Sequence, residues 1–410
     1  MSKFIHMMSL KPMNPSCTVR NMQGAIKTVT VNGSTRLNIS TQSLKRVLRT
    51  NLFEDPVVFK DCSIVHKFLA KMQNEGRMQI TKYDEVGKAF CKVLNDIPYC
   101  APDKPKSEDN GPSVYFDRKV LEAVLNDAVA FFNDVGEKEF VKKGGEAAAE
   151  RAKAIYEAAN VLPDRAMFGN MSTGSVVDGI YGAFRAAMVY SIDPLAGDID
   201  DFVTTFRGTA GSDADDFFAD VLNPYIAEQQ AKPNADNLGS RELASNTVFA
   251  SAAVMTDELL NNLMKHNSKS ATPYTDEEAM KIARETTAQA LIGYAKVNAG
   301  GHQRDMASET LPGIILITAG QYEQPYAACF DKPYTYDAYN NKSVMEQGIE
   351  YLAQFVADDA FYEHEVRRYV VLASQYAHLA PLFTEAGVTV LKNVRELSAA
   401  IQECYDWTLE

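Results

Sequence analysis

Residues 26–52 combine two strand-like stretches, a tight-turn signal and a helix pattern, and they constrain the fold more than any other segment. Ile26 to Val31 alternates as a β-strand does, and Asn32-Gly33 is the strongest short signal for a hairpin turn. Arg36 to Ile39 then runs back as a second strand. The sequence therefore predicts a hairpin that leads directly into a helix.

The helix is predicted to begin at Ser40-Thr41, whose hydroxyl groups are candidate N-caps. Leu44, Val47 and Leu48 follow at the i, i+3, i+4 spacing of a face that packs on a core. This segment therefore couples a strand pair to an amphipathic helix within about 25 residues.

The opposite side of the same helix carries Lys45 and Arg49, which lie four residues apart on one face, with Gln42 one turn earlier. A hydroxyl cap, free backbone N–H groups and two aligned cations can form a phosphate site. The alternative is an ordinary amphipathic helix with a solvated basic face. The pattern alone leaves both interpretations open.

Charge is distributed unevenly along the chain, whose formal net charge is −13. The first 53 residues contain 8 of the 41 basic residues and none of the 54 acidic ones. Such a split predicts a local polyanion site on a body that otherwise repels polyanions.

Residues 39–49, after Pro15-Ser16-Cys17 and Arg20, resemble the N-terminal signature of the CasC-type backbone subunit of type I-E CRISPR Cascade. Similar but weaker matches to that family's short strand end, thumb hairpin, hairpin return and Gly-rich loop lie at 166–171, 198–202, 238–243 and 301–304.

The resemblance implies an α+β fold shaped like a right hand. Its palm would be ferredoxin-like, that is, RNA-recognition-motif-like, with inserted helical fingers and a thumb hairpin. The implied boundaries are palm 1–54, fingers 55–163, palm 164–194, thumb 195–237, and palm with C-terminal helices 238–410.

The implied function is a CRISPR RNA-binding subunit that polymerises along the guide in a Cascade complex and holds it for pairing with target DNA. Its partners would be CRISPR RNA, the target DNA strand, neighbouring copies of itself, the small and large subunits and the guide-end caps. No cofactor and no enzymatic activity are expected. The alternatives are a metal-dependent ribonuclease backbone subunit and the equivalent subunit of another class 1 CRISPR subtype.

The predicted RNA-binding residues are of two kinds. Basic and polar side chains would contact phosphates, and apolar ones would wedge between or stack on bases. They are Arg20, Lys27, Ser40, Gln42, Lys45, Arg46, Arg49, Met171, Phe202 and Arg304.

The sequence lacks the motifs that are typical of several other classes of protein. No GxSxG, Walker, GxGxxG or HExxH pattern occurs, and the six cysteines form no CxxC pair. No signal-peptide pattern or bilayer-spanning apolar run is present, which predicts a cytoplasmic protein without a membrane partner.

Further local predictions follow from periodicity and turn residues. Strands are expected at 4–10, 166–171, 178–192, 238–255 and 313–319, and helices around 86–94, 117–131, 146–160, 276–296, 344–356 and 397–405. Tyr181 and Phe184 are expected in the core, because their spacing does not match the RNA-recognition aromatics.

Three segments permit two interpretations each. Lys138, Lys142 and Lys143 form either a solvated face or a nucleic-acid contact. Gly300-Gly301 forms either a helix C-cap or a close approach to phosphate. Residues 192–237, with ten acidic and two basic side chains, form a protruding insertion between strands rather than a calcium loop.

Overall fold

The structure is a computed structural model that describes residues 3–53, 57–59, 63–99, 114–172, 174–204, 237–298, 309–322, 329–358 and 365–409. Its strands are β1 Phe4–Pro12, β2 Thr28–Val31, β3 Ser34–Ile39, β4 Val57–Phe59, β5 Val114–Phe116, β6 Phe184–Ala186, β7 Val189–Ser191, β8 Gly197–Thr204, β9 Asn237–Ala244, β10 Thr247–Met255, β11 Ile314–Gly320, β12 Arg367–Leu372 and β13 Thr389–Val390.

The α-helices of the described residues are α1 Thr41–Leu52, α2 Ser63–Asn74, α3 Tyr83–Val93, α4 Arg118–Val135, α5 Glu137–Glu139, α6 Gly145–Glu157, α7 Pro163–Phe168, α8 Thr256–Met264, α9 Asp276–Lys296, α10 Val344–Asp358, α11 Ala380–Glu385 and α12 Val394–Leu409. A π-helical turn, Phe140–Gly144, joins α5 to α6, and a 3₁₀ helix, Ser374–Leu379, precedes α11.

Nine strands form one large sheet in the order β13-β12-β11-β1-β10-β7-β3-β2, with β6 also pairing with β10. All its pairs are antiparallel except β12 with β13. Strand β1 is central, because it pairs along its length with β10 and over seven residues with β11. The predicted α+β class is confirmed at this level.

One face of the sheet packs against α1, α9 and α12. Alternate residues of β1, among them Ile5 and Met7, point to this face and share a core with Leu44, Leu291 and Leu397. Burial of this apolar surface is the main force that holds α1 against the sheet.

The opposite face is covered by a second apolar layer. Met8 and Leu10 of β1 and Phe249 of β10 lie in one core cluster with Phe330 and with Ile349 of α10. The Phe249 and Phe330 ring centroids lie 4.8 Å apart. Over this region, therefore, both faces of the sheet are buried.

Helices α2, α3, α4 and α6 surround a third core, which includes Leu69, Phe90, Phe132 and Phe140. Asp117 caps α4 by accepting hydrogen bonds from the backbone N–H groups of Lys119 and Val120, as the sequence predicted. This group of helices has an apolar interior separate from the two cores on the sheet.

Three strand predictions are wrong in detail. The single strand expected over 238–255 is two strands, β9 and β10, which lie in different sheets. Residues 163–168 form α7 instead of a strand, because Pro163 occupies a first-turn position, where its fixed φ favours a helix. Gly169 then ends α7 with φ +71°. The single long strand expected over 178–192 is instead two short ones, β6 and β7.

The acidic insertion begins and ends in a separate two-stranded ribbon. β8 pairs antiparallel with β9, from Gly197 opposite Ala244 to Thr204 opposite Asn237. Residues 205–236, which contain most of the acidic side chains, lie outside the described residues. The ribbon's return strand continues seven residues past 237 before β10 enters the large sheet.

Candidate nucleic-acid interface

Helix α1 begins where the sequence predicted, but its cap differs. Ser40 has the extended backbone of an N-cap residue, yet its side chain caps no backbone N–H group. The hydroxyl instead donates to Gln42 Oε1 at 2.9 Å. The predicted cap position is confirmed, but the predicted capping bond is absent. The Ser40 side chain is turned toward the amide oxygen of Gln42 instead of the backbone N–H groups.

The apolar side of α1 is buried through Leu44 and Leu48, so the opposite side is oriented away from the sheet. Gln42 and Arg46 are exposed there, and Lys45 is half-buried. The Lys45 ammonium donates to the Phe184 carbonyl at 3.4 Å and lies 5.3 Å from the Phe184 ring centroid. Burial, together with the charge of Arg49, lowers the pKa of Lys45.

Arg49 makes a bidentate ion pair with Asp164 of α7. Its Nε and one terminal nitrogen donate to the two carboxylate oxygens at 2.8 and 2.5 Å. The two side chains are only 19% and 8% exposed, and the guanidinium also lies 5.5 Å from the Phe168 ring centroid. The pair ties α1 to α7, so the phosphate role predicted for Arg49 competes with a structural one.

Arg20 is similarly engaged. It donates to the Gly24 and Glu242 carbonyl oxygens at 2.8 Å each and lies 3.6 Å from the Glu242 carboxylate. These bonds connect the N-terminal segment to β9. Lys27 is half-buried just before β2, and its contact with RNA stays a prediction.

A short hairpin beside α1 carries two exposed apolar side chains. Asn170 and Ile180 pair across it through reciprocal N–H to carbonyl bonds of 2.9 and 3.1 Å. Met171 is 75% exposed and Tyr181 is 90% exposed. The core prediction is confirmed for Phe184, which is buried, and is wrong for Tyr181.

Two predicted contacts lie partly or wholly beyond the described residues. Phe202 lies in β8 with its backbone opposite Gly239, and its side chain is outside the description. Arg304 and the Gly300-Gly301 turn are also outside the described residues. Their predicted roles stay predictions.

Two lysines of the predicted cluster, Lys142 and Lys143, line a surface groove of about 200 Å³ at the π-helical turn. Lys142 and Lys143 face Lys88 and Lys92 there, and Lys92 is paired with Glu146 at 3.0 Å. Carboxylates therefore balance part of this charge, and both interpretations of the cluster stay open.

Within the described ranges, no group of three or more His, Cys, Asp or Glu side chains is arranged to hold a metal ion. Four cysteines there, Cys17, Cys91, Cys329 and Cys404, are buried and form no disulfide. In the same part of the chain, every helix is too short or too polar to cross a bilayer.

Two residues that contribute to this surface are not predicted by the sequence patterns. Asp164 pairs with a partner 115 residues earlier, a separation that no local pattern can bridge. Tyr181 directly follows Ile180, which pairs with Asn170, and the glycines on either side of it, Gly179 and Gly182, were a usable sign of a turn or close backbone approach there.

Comparison with solved structures defines the class of fold. The chain superposes on a chain of a "CRISPR RNA-guided surveillance complex, pre-nicking" with a TM-score of 0.70 and 16% identity, over 98% of this chain and 100% of that one. A chain of a "CRISPR RNA-guided surveillance complex" gives a TM-score of 0.58 and 14% identity, over 97% and 99%. At these identities the likeness establishes the fold.

Residues 5–397 match the family model of the CT1975-like proteins, and the chain belongs to that family. No curated protein matches the sequence significantly. The resemblance found in the sequence thus agrees with the comparisons at the level of a Cascade-type CRISPR protein.

Proposed function

We propose that this protein is the CasC-type, CRISPR RNA-binding backbone subunit of a type I-E Cascade complex. It polymerises along the guide, holds the guide for pairing with a target DNA strand, and performs no chemistry itself. Its partners are the guide RNA, further copies of itself, the small and large subunits and the guide-end caps.

The strand order supports a ferredoxin-like palm. In chain order, β1, α1, the β6–β7 pair, β10, α9 and β11 follow the β-α-β-β-α-β sequence of that fold. In space the strands run β11-β1-β10-β7, which places the fourth strand beside the first and the third between the first and second. This is the arrangement of an RNA-recognition-motif sheet with two helices on one face.

The observation that carries the proposal is the outer face of α1, where Gln42, Lys45 and Arg46 lie together on a helix anchored by Leu44 and Leu48. An RNA-recognition motif stacks bases on the open face of its sheet. Here α10 and Phe330 cover that face, so the guide binds at the side of the palm. Contacts there go to phosphates and are independent of guide sequence.

Gln42, Lys45 and Arg46 are assigned the principal phosphate contacts. Arg20, Lys27, Ser40 and Arg304 supply further polar contacts, while Arg49 contributes mainly by holding Asp164. Met171 and Phe202 act as apolar wedges against bases. The β8–β9 ribbon extends the thumb toward a neighbouring copy.

The test begins with copurification. The protein is purified from cells with and without a CRISPR array, and a short RNA of uniform length is expected to accompany it only when the array is present. RNA of random length in both preparations would overturn the guide-binding role. RNA from an array of another subtype would favour the alternative class 1 assignment.

The second part measures the salt dependence of RNA binding. Lys45→Glu and Arg46→Glu should each weaken binding for all sequences and lower the slope of log K against log salt by about 0.7. Lys281→Glu, at an exposed position of α9, is the matched control. Unchanged slopes in folded Lys45 and Arg46 variants would refute the α1 site.

A further inference from the structure

We propose that Tyr181, together with Met171, forms a stacking platform for one nucleobase of the bound RNA. The inference rests on the proposed function and adds a base contact beside the phosphate contacts of α1. The sequence predicts Tyr181 in the core, so the exposure of its ring, on which this proposal rests, is a finding of the structure.

The platform stands on a rigid support. The Asn262 side-chain amide donates to the Tyr181 carbonyl at 2.7 Å and to the Ala166 carbonyl at 3.0 Å, which joins the hairpin to α7. The reciprocal Asn170–Ile180 bonds hold the two strands of the hairpin together. The backbone of Tyr181 is thus held, while its ring is 90% exposed.

Two glycines make this geometry specific. Gly169 has φ +71°, and a Cβ atom there would lie 2.5 Å from the Gly182 nitrogen. A Cβ atom on Gly182 would lie 2.4 Å from the Phe168 carbonyl carbon. Larger residues would force these backbones apart, so the hairpin is preorganised and binding incurs little ordering cost.

Hydrogen bonds and a salt bridge stabilise the base of the hairpin. Arg165 donates to Asn170 Oδ1 at 3.0 Å, and Asn170 donates to the Asp178 carbonyl at 3.0 Å. The Asp178 carboxylate accepts from Tyr156 at 2.8 Å and from Lys265 at 2.6 Å. Burial acts to raise the pKa of Asp178, but hydrogen bonds with His266, Lys265 and Tyr156 lower it by more, so the carboxylate stays ionised and paired.

The hairpin packs beside α1, whose basic outer face suits a polyanion, and under the proposed function that polyanion is RNA. Phe168 and Phe184, at the two ends of the hairpin, have ring centroids 5.1 Å apart. Arg49 lies over the first ring and Lys45 over the second, at 5.5 and 5.3 Å. Met171 and Tyr181 are each three residues from these rings and flank the Asn170–Ile180 pair, so a strand whose phosphate contacts Lys45 can place a base beside that pair.

The chemistry of the two side chains suits a base of any identity. A tyrosine ring stacks on the flat face of every nucleobase, and a thioether adapts its shape to an aromatic edge. Neither side chain reads hydrogen-bonding groups, so the contact remains compatible with a guide of variable sequence.

The experiment uses the full-length protein and a labelled oligouridylate, with an abasic oligoribonucleotide of the same length as the second probe. Tyr181→Ala should weaken binding of the oligouridylate roughly 5- to 100-fold, the loss of one stacked base. It should leave abasic binding and the salt slope unchanged, because no phosphate contact is lost. Tyr181→Phe should retain the wild-type affinity.

Tyr339→Ala is the matched control, because Tyr339 is 96% exposed on a distant turn. Equal weakening on both probes, or none on either, would overturn the platform. A loss that appears only at protein concentrations where copies associate would mean that a neighbouring copy covers Tyr181. If the wild-type protein binds RNA without any Lys45-dependent salt slope, the proposed function itself fails.

Discussion

Removing the Arg49 guanidinium should destabilise the protein far more than removing the neighbouring Lys45 ammonium. Arg49→Met keeps the length and apolar stem of the side chain but leaves the Asp164 carboxylate, which is 8% exposed, without its bidentate donor. Losing one partner of a largely buried ion pair costs about 3 kcal/mol, because the remaining charge is desolvated and unpaired.

Lys45→Met is the matched control on the same helix. Its ammonium makes one long bond of 3.4 Å and one cation–π contact, so the substitution should cost less than about 1 kcal/mol. The two substituted positions lie one turn apart in the same helix, so the effects of helix propensity and of position in the helix are nearly the same in both variants.

Urea unfolding followed by far-ultraviolet circular dichroism would measure both variants. A double-mutant cycle with Asp164→Asn isolates the pair, since the second substitution removes the unpaired charge and should recover on the order of 2 kcal/mol of the loss. If Arg49→Met and Lys45→Met unfold at the same urea concentration, or the cycle shows no coupling, the structural role of Arg49 is refuted. An RNA salt slope that falls by about 0.7 in Arg49→Met would show that Arg49 also neutralises a phosphate.

Three further outcomes are expected. Burial lowers the pKa of His6 to about 4, so the unfolded protein protonates this residue at a higher pH than the folded protein does. The free energy of unfolding should therefore fall by about 3 kcal/mol between about pH 6.5 and pH 4. Urea midpoints of the wild type and of His6→Gln would measure this, and an equal dependence on pH in the two proteins would contradict it. With Mg²⁺ or Mn²⁺ the assembled complex should leave guide and target strands intact on a gel, and cleavage abolished by Asp200→Asn or Asp201→Asn would favour the ribonuclease alternative. Replacing residues 198–237 with a short Gly-Ser linker should leave a folded monomer that no longer forms regular arrays on long RNA, and arrays that persist in electron micrographs would rule out the thumb assignment.

Local signals predicted the elements whose ends are set by short-range chemistry. Helix α9 spans 276–296 as expected, and the Ser343–Glu346 capping box before α10 is present, with reciprocal bonds of 2.8 and 3.1 Å. The Asn32-Gly33 turn also forms, with φ of +45° and +82°. Each of these depends on residues within a few positions of one another.

Predictions failed where distant residues decide the conformation. Residues 166–171 are apolar enough for a strand, but Pro163 begins a helix and Asn262, nearly a hundred residues later, holds its end. Tyr181 is a large aromatic residue of the kind that usually lies in a core. Its side chain is nevertheless exposed, at a place where the backbones of Gly169 and Gly182 approach each other closely. The pairing of Arg49 with Asp164 could not be predicted either, because burial of Asp164 depends on the packing of α7 beside α8 and α9.

The second layer over the sheet has a consequence for how such a protein can change over time. Phe330, Ile349 and Phe383 seal the face on which a free-standing RNA-recognition motif would choose its bases. A substitution on that face alters packing, whereas, under the proposed function, one on the outer side of α1 alters affinity for the guide without altering preference among guides. Under that function, mutational drift can tune how tightly the guide is held, but it has no ready route to favour one guide over another.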